Sequence, residues 1–201
     1  MPNAPFLAPE RDSALRQGRA KASGGTIYYT VPGCIFTVGT SDVPDFDADY
    51  YSPFYVDAPI IIDQLAFYVT NATAAKSARI GFYAADSNWQ PMGAPWADSG
   101  DVSIATTGVK TYTPATPIFV PRGRYLSVIN NNDTTSAMTL GYYSGGFRTG
   151  LPTTLANGMV TYMKVIRSYA AFPTPGTSWT TVSSATSNGG RHFVVYRVST
   201  P

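Results

Sequence analysis

YYSPFYVDAPIIIDQLAFYVT (residues 50–70), RIGFYAADSN (79–88) and SIATTGVKTYTPATPIFVPRGRYLSVIN (103–130) are the segments whose reading decides the fold. Each contains strand-length runs rich in β-branched and aromatic residues, closed by turn residues. Leu65, Phe67 and Val69 alternate to one face. Ile62 precedes Leu65 by three positions instead of two, which predicts a β-bulge at Asp63-Gln64. Further on, Ile80, Phe82 and Ala84 share one face and leave Arg79, Gly81 and Tyr83 on the other. Thr107-Gly108 turns the chain into Val109–Thr113, and Pro121-Arg122-Gly123 launches Arg124–Asn130.

Working outward, Thr26–Val31 and Cys34–Val38 flank the turn dipeptide Pro32-Gly33. Asp42–Asp49 reads as a loop, as does Asp86–Gly100, which holds Trp89 and Trp96. Ala137–Ser144 and Met159–Ile166 are further strands, separated by the Gly-rich interval 145–158. Pro173–Gly190 reads as loop with one short strand around Trp179–Val182, and Arg191–Val198 as a last strand. Roughly ten strands at short spacing, with no helical periodicity after residue 24, predict an all-β chain. The expected architecture is an antiparallel β-sandwich, jelly-roll-like, over residues 25–201, preceded by an extended or partly helical N-terminal arm over 1–24.

Composition supports this and narrows the function. Hydrophobic residues make up 44% and charged residues only 13% of the chain, against roughly 25% charged in ordinary soluble domains. Glu10 is the only Glu, and every other acid is Asp, a turn and cap residue. Arg11, Arg16, Arg19 and Lys21 outnumber Glu10 and Asp12 in the arm. The other ten bases balance ten acids, so the body is neutral and the net charge of +2 belongs to the arm. A neutral body argues against nucleic-acid binding, which needs a strong basic patch. Cys34 is the single cysteine, so no intramolecular disulfide or CxxC metal site forms, which favours folding in a reducing cytoplasm. No signal-peptide pattern opens the chain, and no apolar run reaches the roughly 18 residues of a membrane span.

The run YxxPFYV, PIxIDxLxFYVT, RIGFYA, the turn Ala105–Val109 and PxGRYLxVI together resemble jelly-roll modules in structural proteins of tailed bacteriophages, of tail-fibre or head-appendage type. The leader APFLAPERDSALRQGR is similar to segments that precede such modules. The resemblance spans about two-thirds of the chain and rests on strand-and-turn signatures of moderate specificity. It implies a virion component, tail fibre or capsid decoration, made without a signal peptide in the host cytoplasm. It implies other virion proteins (capsid, portal or tail) and further copies of the chain as partners, with a trimer the first guess. It carries no catalytic residues or cofactor with it.

His192 is the only histidine, and no G-x-S-x-G elbow supplies a nucleophile for it, so a strand histidine is the simpler reading. Asp45, Asp47, Asp49, Asp86, Asp98 and Asp101 offer carboxylates for glycoside hydrolysis, but Asp-rich loops are ordinary in β-proteins. No enzyme activity is expected. Asp45, Asp47 and Asp49 form a D-x-D-x-D run that could hold Ca²⁺, although alternating side chains of an extended chain point apart. Trp89, Trp96, Tyr142, Tyr143 and Trp179 are candidates for stacking on a host glycan; the competing reading is that they cap the core. In the arm, Phe6 and Leu7 are candidate apolar anchors, and Arg11, Arg16 and Arg19 candidate charge contacts, for docking onto a partner.

Overall fold

A computed structural model describes residues 19–21, 27–29, 48–56, 58–87, 90–135, 139–140, 142–143, 163–174, 182–183, 191–192 and 195–199. In chain order its strands are β1 (Arg19–Lys21), β2 (Ile27–Tyr29), β3 (Ala48–Val56), β4 (Ile60–Asn71), β5 (Ser77–Ala85), β6 (Pro91–Asp98), β7 (Val102–Ser103) and β8 (Gly108–Tyr112). They continue with β9 (Ile118–Val120), β10 (Gly123–Asn131), β11 (Thr139–Leu140), β12 (Tyr142–Tyr143), β13 (Met163–Ile166), β14 (Val182–Ser183), β15 (Arg191–His192) and β16 (Val195–Ser199). No helix occurs among the described residues.

The strands form an antiparallel β-sandwich. The first sheet runs β1-β2-β16-β4-β11, with β8 and β9 also paired to β4. The second runs β14-β13-β3-β10-β5-β6, with β7 paired to β5. A small third pairing joins β12 to β15. Consecutive long strands β3, β4 and β5 fall in alternate sheets, so each connection crosses the sandwich, as expected for a jelly-roll-like body.

Alternation builds the core between the sheets. From the first sheet come Ile60, Ile62, Leu65, Phe67, Val69 and Val120; from the second, Tyr50, Phe54, Val56, Ile80, Phe82, Tyr125 and Ile129. The bulge predicted at Asp63-Gln64 is present. Arg197 of β16 pairs with Gln64 and Val198 with Ile62, which leaves Asp63 as the extra residue. It restores the phase of the apolar residues, so Ile62 and Leu65 both face the core.

Several sequence expectations need correction. Pro91–Asp98, read as loop, is strand β6 on the edge of the second sheet, where a proline without an N–H is tolerated. Arg191–Val198, read as one strand, divides: β15 pairs with β12, while β16 pairs with β4 and β2. Arg19–Lys21, read as the end of a partly helical stretch, pairs as a strand with β2, so the last part of the arm joins the first sheet. Ala48 and Asp49, placed in a loop, belong to β3. The predicted strand Cys34–Val38 lies outside the described residues.

Candidate functional site

The outward face of the second sheet is not solvated. Register places Val165, Asp49, Asn130 and Arg79 in one row across β13, β3, β10 and β5. The next row holds Tyr51, Val128 and Gly81, with Asp98 beyond it on β6. Tyr51, Tyr83, Leu126 and Val128 are buried there, and Val165 and Phe172 close over them as a second core. The cover is the segment 167–174, which follows β13 and folds back across the sheet without joining it as a strand.

Two ionic clusters hold this strap. At one end Asp49 is fully buried. Arg167 Nε donates to its Oδ2 at 2.6 Å and Nη2 to its Oδ1 at 2.9 Å, a bidentate pair. The Asn130 amide and the Tyr51 hydroxyl donate to the same carboxylate. Burial pushes the Asp49 carboxyl above the usual range, while Arg167, Asn130 and Tyr51 pull the other way. Burial, together with the negative charge of Asp49, also raises Tyr51. The Arg167 guanidinium reaches back to the carbonyl of Ala171 at 3.1 Å and lies over the Phe172 ring.

At the other end Arg79 Nη1 donates to both oxygens of Asp98, at 3.1 and 3.0 Å, and Nη2 to Asp101 at 3.0 Å. Partial burial works to lower the Arg79 pKa, but Asp101, Asp98 and Tyr169 outweigh it and the net shift is upward. The Tyr169 hydroxyl donates to Asp101 at 2.8 Å, and the Phe172 backbone N–H donates to Asp98 at 3.0 Å. Tyr83 completes the attachment by donating to the Pro173 carbonyl at 2.8 Å. Among the described residues, two buried side-chain polar atoms have no protein partner, Asn130 Oδ1 and Arg79 Nε; they belong to cross-strand neighbours and mark the seam between the clusters.

Gly81 makes room for the strap. A Cβ built there would collide with the Ala97 carbonyl oxygen and press on the Phe172 ring at 3.1 Å. Any side chain at 81 thus competes with Phe172 for one space. The charged groups of this face are spent on one another: Asp49 has both oxygens occupied and lies under the strap. A buried, perturbed carboxyl is often a mark of catalysis; this one is a clamp.

The outward face of the first sheet is the reverse. Tyr68 of β4 is 43% exposed and lies directly opposite Val109 of β8, 65% exposed. Ile61 of β4 lies opposite Phe119 of β9, 58% exposed. Between these pairs sit Ala66 opposite Thr111, and Gln64, whose Nε2 donates to Thr113 Oγ1 at 3.4 Å.

The candidate residues read from the sequence fare unequally. Trp96, 36% exposed, lies on edge strand β6. Its ring is tilted to Phe82 at 6.3 Å and edge-on to Tyr125 at 5.6 Å, while Tyr125 stacks on Phe54 at 5.4 Å. One side of Trp96 therefore closes the rim of the core and part of the ring meets solvent. Tyr142 lies opposite His192 in the β12–β15 pairing, and Tyr143 opposite Arg191. Trp89 and Trp179 lie outside the described residues, as do Asp45, Asp47, Phe6, Leu7, Arg11 and Arg16; Arg19 is the first residue of β1. Asp49 is brought to Arg167 and not into an open acidic loop. Among the described residues no group of three or more His, Cys, Asp and Glu side chains is placed to hold a metal ion, and no helix is long and apolar enough to cross a membrane.

Sequence reasoning missed Arg167, Phe172 and the Arg79–Asp98–Asp101 cluster. The available signal was Gly81, a glycine inside a strong strand pattern, which marks close approach of another segment. No family model, curated protein or solved structure matches the chain.

Proposed function

We propose that the chain is a non-enzymatic structural component of a tailed-phage virion, a tail-fibre or head-appendage protein. It self-assembles and is anchored to another virion protein through its N-terminal arm. The observation that carries this is the division of labour on the sandwich. Its described ionic clusters clamp the strap, while the opposite sheet leaves Tyr68, Val109 and Phe119 exposed, apolar and aromatic side chains of the kind enriched in protein contacts. The strand-and-turn resemblance, the low overall charge and the basic arm point the same way.

The test is incorporation. Residues 1–18 are deleted, which keeps strand β1 and its pairing with β2, and particles are purified and imaged by electron cryo-microscopy. The expected result is loss of the protein from the particle with normal solubility of the truncated chain. Normal incorporation would defeat the anchoring role, and absence of the full-length chain from particles would defeat the virion assignment.

Trp96 favours a second reading, a module that binds host-surface carbohydrate. A partly exposed indole braced from behind by Tyr125 and Phe82 is a stacking platform. Host polysaccharide should then quench tryptophan fluorescence in the wild type and fail to do so in Trp96→Ala. Equal quenching in both would remove Trp96 from the binding surface.

A further inference from the structure

We infer that one water molecule is bound beneath the strap, between Asn130 of β10 and Arg79 of β5, and links the two ionic clusters into a single network.

Asn130 and Arg79 are directly opposed in the β5–β10 register, on the face that the strap covers. Asn130 is 1% exposed and the Arg79 side chain 15%. Each keeps one buried polar atom without a protein partner among the described residues, Oδ1 of Asn130 and Nε of Arg79. Buried polar atoms are nearly always bonded, to protein or to ordered water.

The two atoms are complementary. An amide oxygen only accepts, and a guanidinium N–H only donates. The Asn130 amide is oriented from its other side, where Asp49 accepts its Nδ2–H. A carboxylate there has no hydrogen to offer, so the amide turns its nitrogen to Asp49 and keeps its oxygen free. Asp49 stands on β3, on one side of Asn130, and Arg79 on β5, on the other. The row therefore reads acid, amide, base. A bond joins the first two, and a matching acceptor and donor are left between the second two.

Directly opposed side chains leave a sheet about 4.5–5.5 Å apart at Cβ. One water spans such a gap with two bonds of about 2.8–2.9 Å. It donates to Asn130 Oδ1 and accepts from Arg79 Nε–H, which gives it the two partners that a buried water needs at least. No ion fits both atoms. A cation on Oδ1 would face the Arg79 and Arg167 guanidinium groups, and an anion on Nε would face Asp98 and Asp101. With the water in place, the pair Asp49–Arg167 and the cluster Arg79–Asp98–Asp101 grip the strap as one hydrogen-bonded unit.

The test joins a crystal structure of the full chain, at a resolution that shows ordered water, to urea unfolding. The expected density is one water within about 2.6–3.2 Å of both Asn130 Oδ1 and Arg79 Nε. A direct bond between the two atoms, a protein partner for either, or no water between them overturns the site.

Unfolding reads the link. Arg167→Lys and Asp101→Asn are compared singly and together. Their joint effect on the folding equilibrium constant should depart by about threefold or more from the product of the single effects. In an Asn130→Leu background, which lacks Oδ1, the departure should vanish. Should Asn130→Leu not fold, Arg79→Lys serves instead, since it keeps a cation and has no Nε–H. Single effects that simply multiply in the wild-type background overturn the link. A departure that survives removal of Oδ1 or Nε–H assigns the coupling to the strap's own backbone and overturns it equally.

Discussion

The two outward faces of this sandwich are made by the same strand alternation and end in opposite states. On the second sheet Tyr51, Tyr83, Leu126 and Val128 disappear beneath the strap; on the first, Tyr68, Val109 and Phe119 stand in solvent. An antiparallel sheet with one solvated face is expected to carry polar residues there. Neither face does. The difference lies in what the chain supplies as cover, and the covered face is the one with ionic anchors at both ends. The lesson is that an apolar outward row predicts a cover without saying whether it comes from the same molecule.

The sharpest way to break the comparison is to cut an anchor. Arg167→Ala leaves the Asp49 carboxylate buried without its cation and should cost about 3–5 kcal/mol in urea unfolding. Replacing the pair together, Asp49→Leu with Arg167→Met, should cost clearly less, because no isolated charge remains. A single variant that loses under about 1 kcal/mol would mean that the strap is held by Phe172 alone. Next in size, Gly81→Ala should lose about 1–3 kcal/mol through overpacking, with amide exchange accelerated over 167–174. Unchanged exchange there would show that the strap does not depend on this gap.

The acid limb separates the two anchors. Asp101 is held below the usual carboxylate range by the Tyr169 hydroxyl and then by Arg79. Its contribution is therefore present above about pH 3.9, the unfolded value, and is lost as pH falls below it. Asp49 runs the other way. Its raised carboxyl takes a proton in the native state before the unfolded chain does, so it does not drive acid unfolding. Asp101→Asn should flatten the acid limb by under about 1 kcal/mol, since Asp101 is largely exposed. An unaltered limb would assign the acid sensitivity elsewhere. The smallest effect belongs to the open face: Val109→Ser should change monomer stability by no more than about 0.5 kcal/mol. A larger loss, measured below any dimerisation concentration, would show that this face is covered within one chain.

Much of the frame was legible from local pattern. The bulge in β4 follows from a three-residue step between Ile62 and Leu65, and the inward set Ile80 and Phe82 from simple alternation. Turn chemistry also placed β8 and β10 closely. β6 escaped because Pro91, Gly93 and Pro95 are breakers in any local reading, and only its position on an edge makes them compatible with a strand. The strap escaped for a deeper reason. Segment 167–174 has no periodicity, and its contacts reach partners such as Asp49 and Asp98 that only the tertiary fold brings near. Asp49 carried the same ambiguity: in sequence it ends an acidic run, in space it sits within a row of side chains between Val165 and Asn130.

The separation of 118 residues between Asp49 and Arg167 also sets a clock. At ordinary rates of synthesis, roughly 6–24 s pass between the making of the acid and of its base. During that interval β3 exists without the cation that makes burial of Asp49 tolerable, so its outer row stays wet. The second sheet can pair early, but it can dry out on its far side only when residues past 167 have left the ribosome. Ribosome-bound chains arrested near residue 160 should accordingly be cut by protease around Tyr51 and Tyr83, and chains released at full length should resist. The order of translation thus sets the earliest moment at which this surface of the protein is sealed.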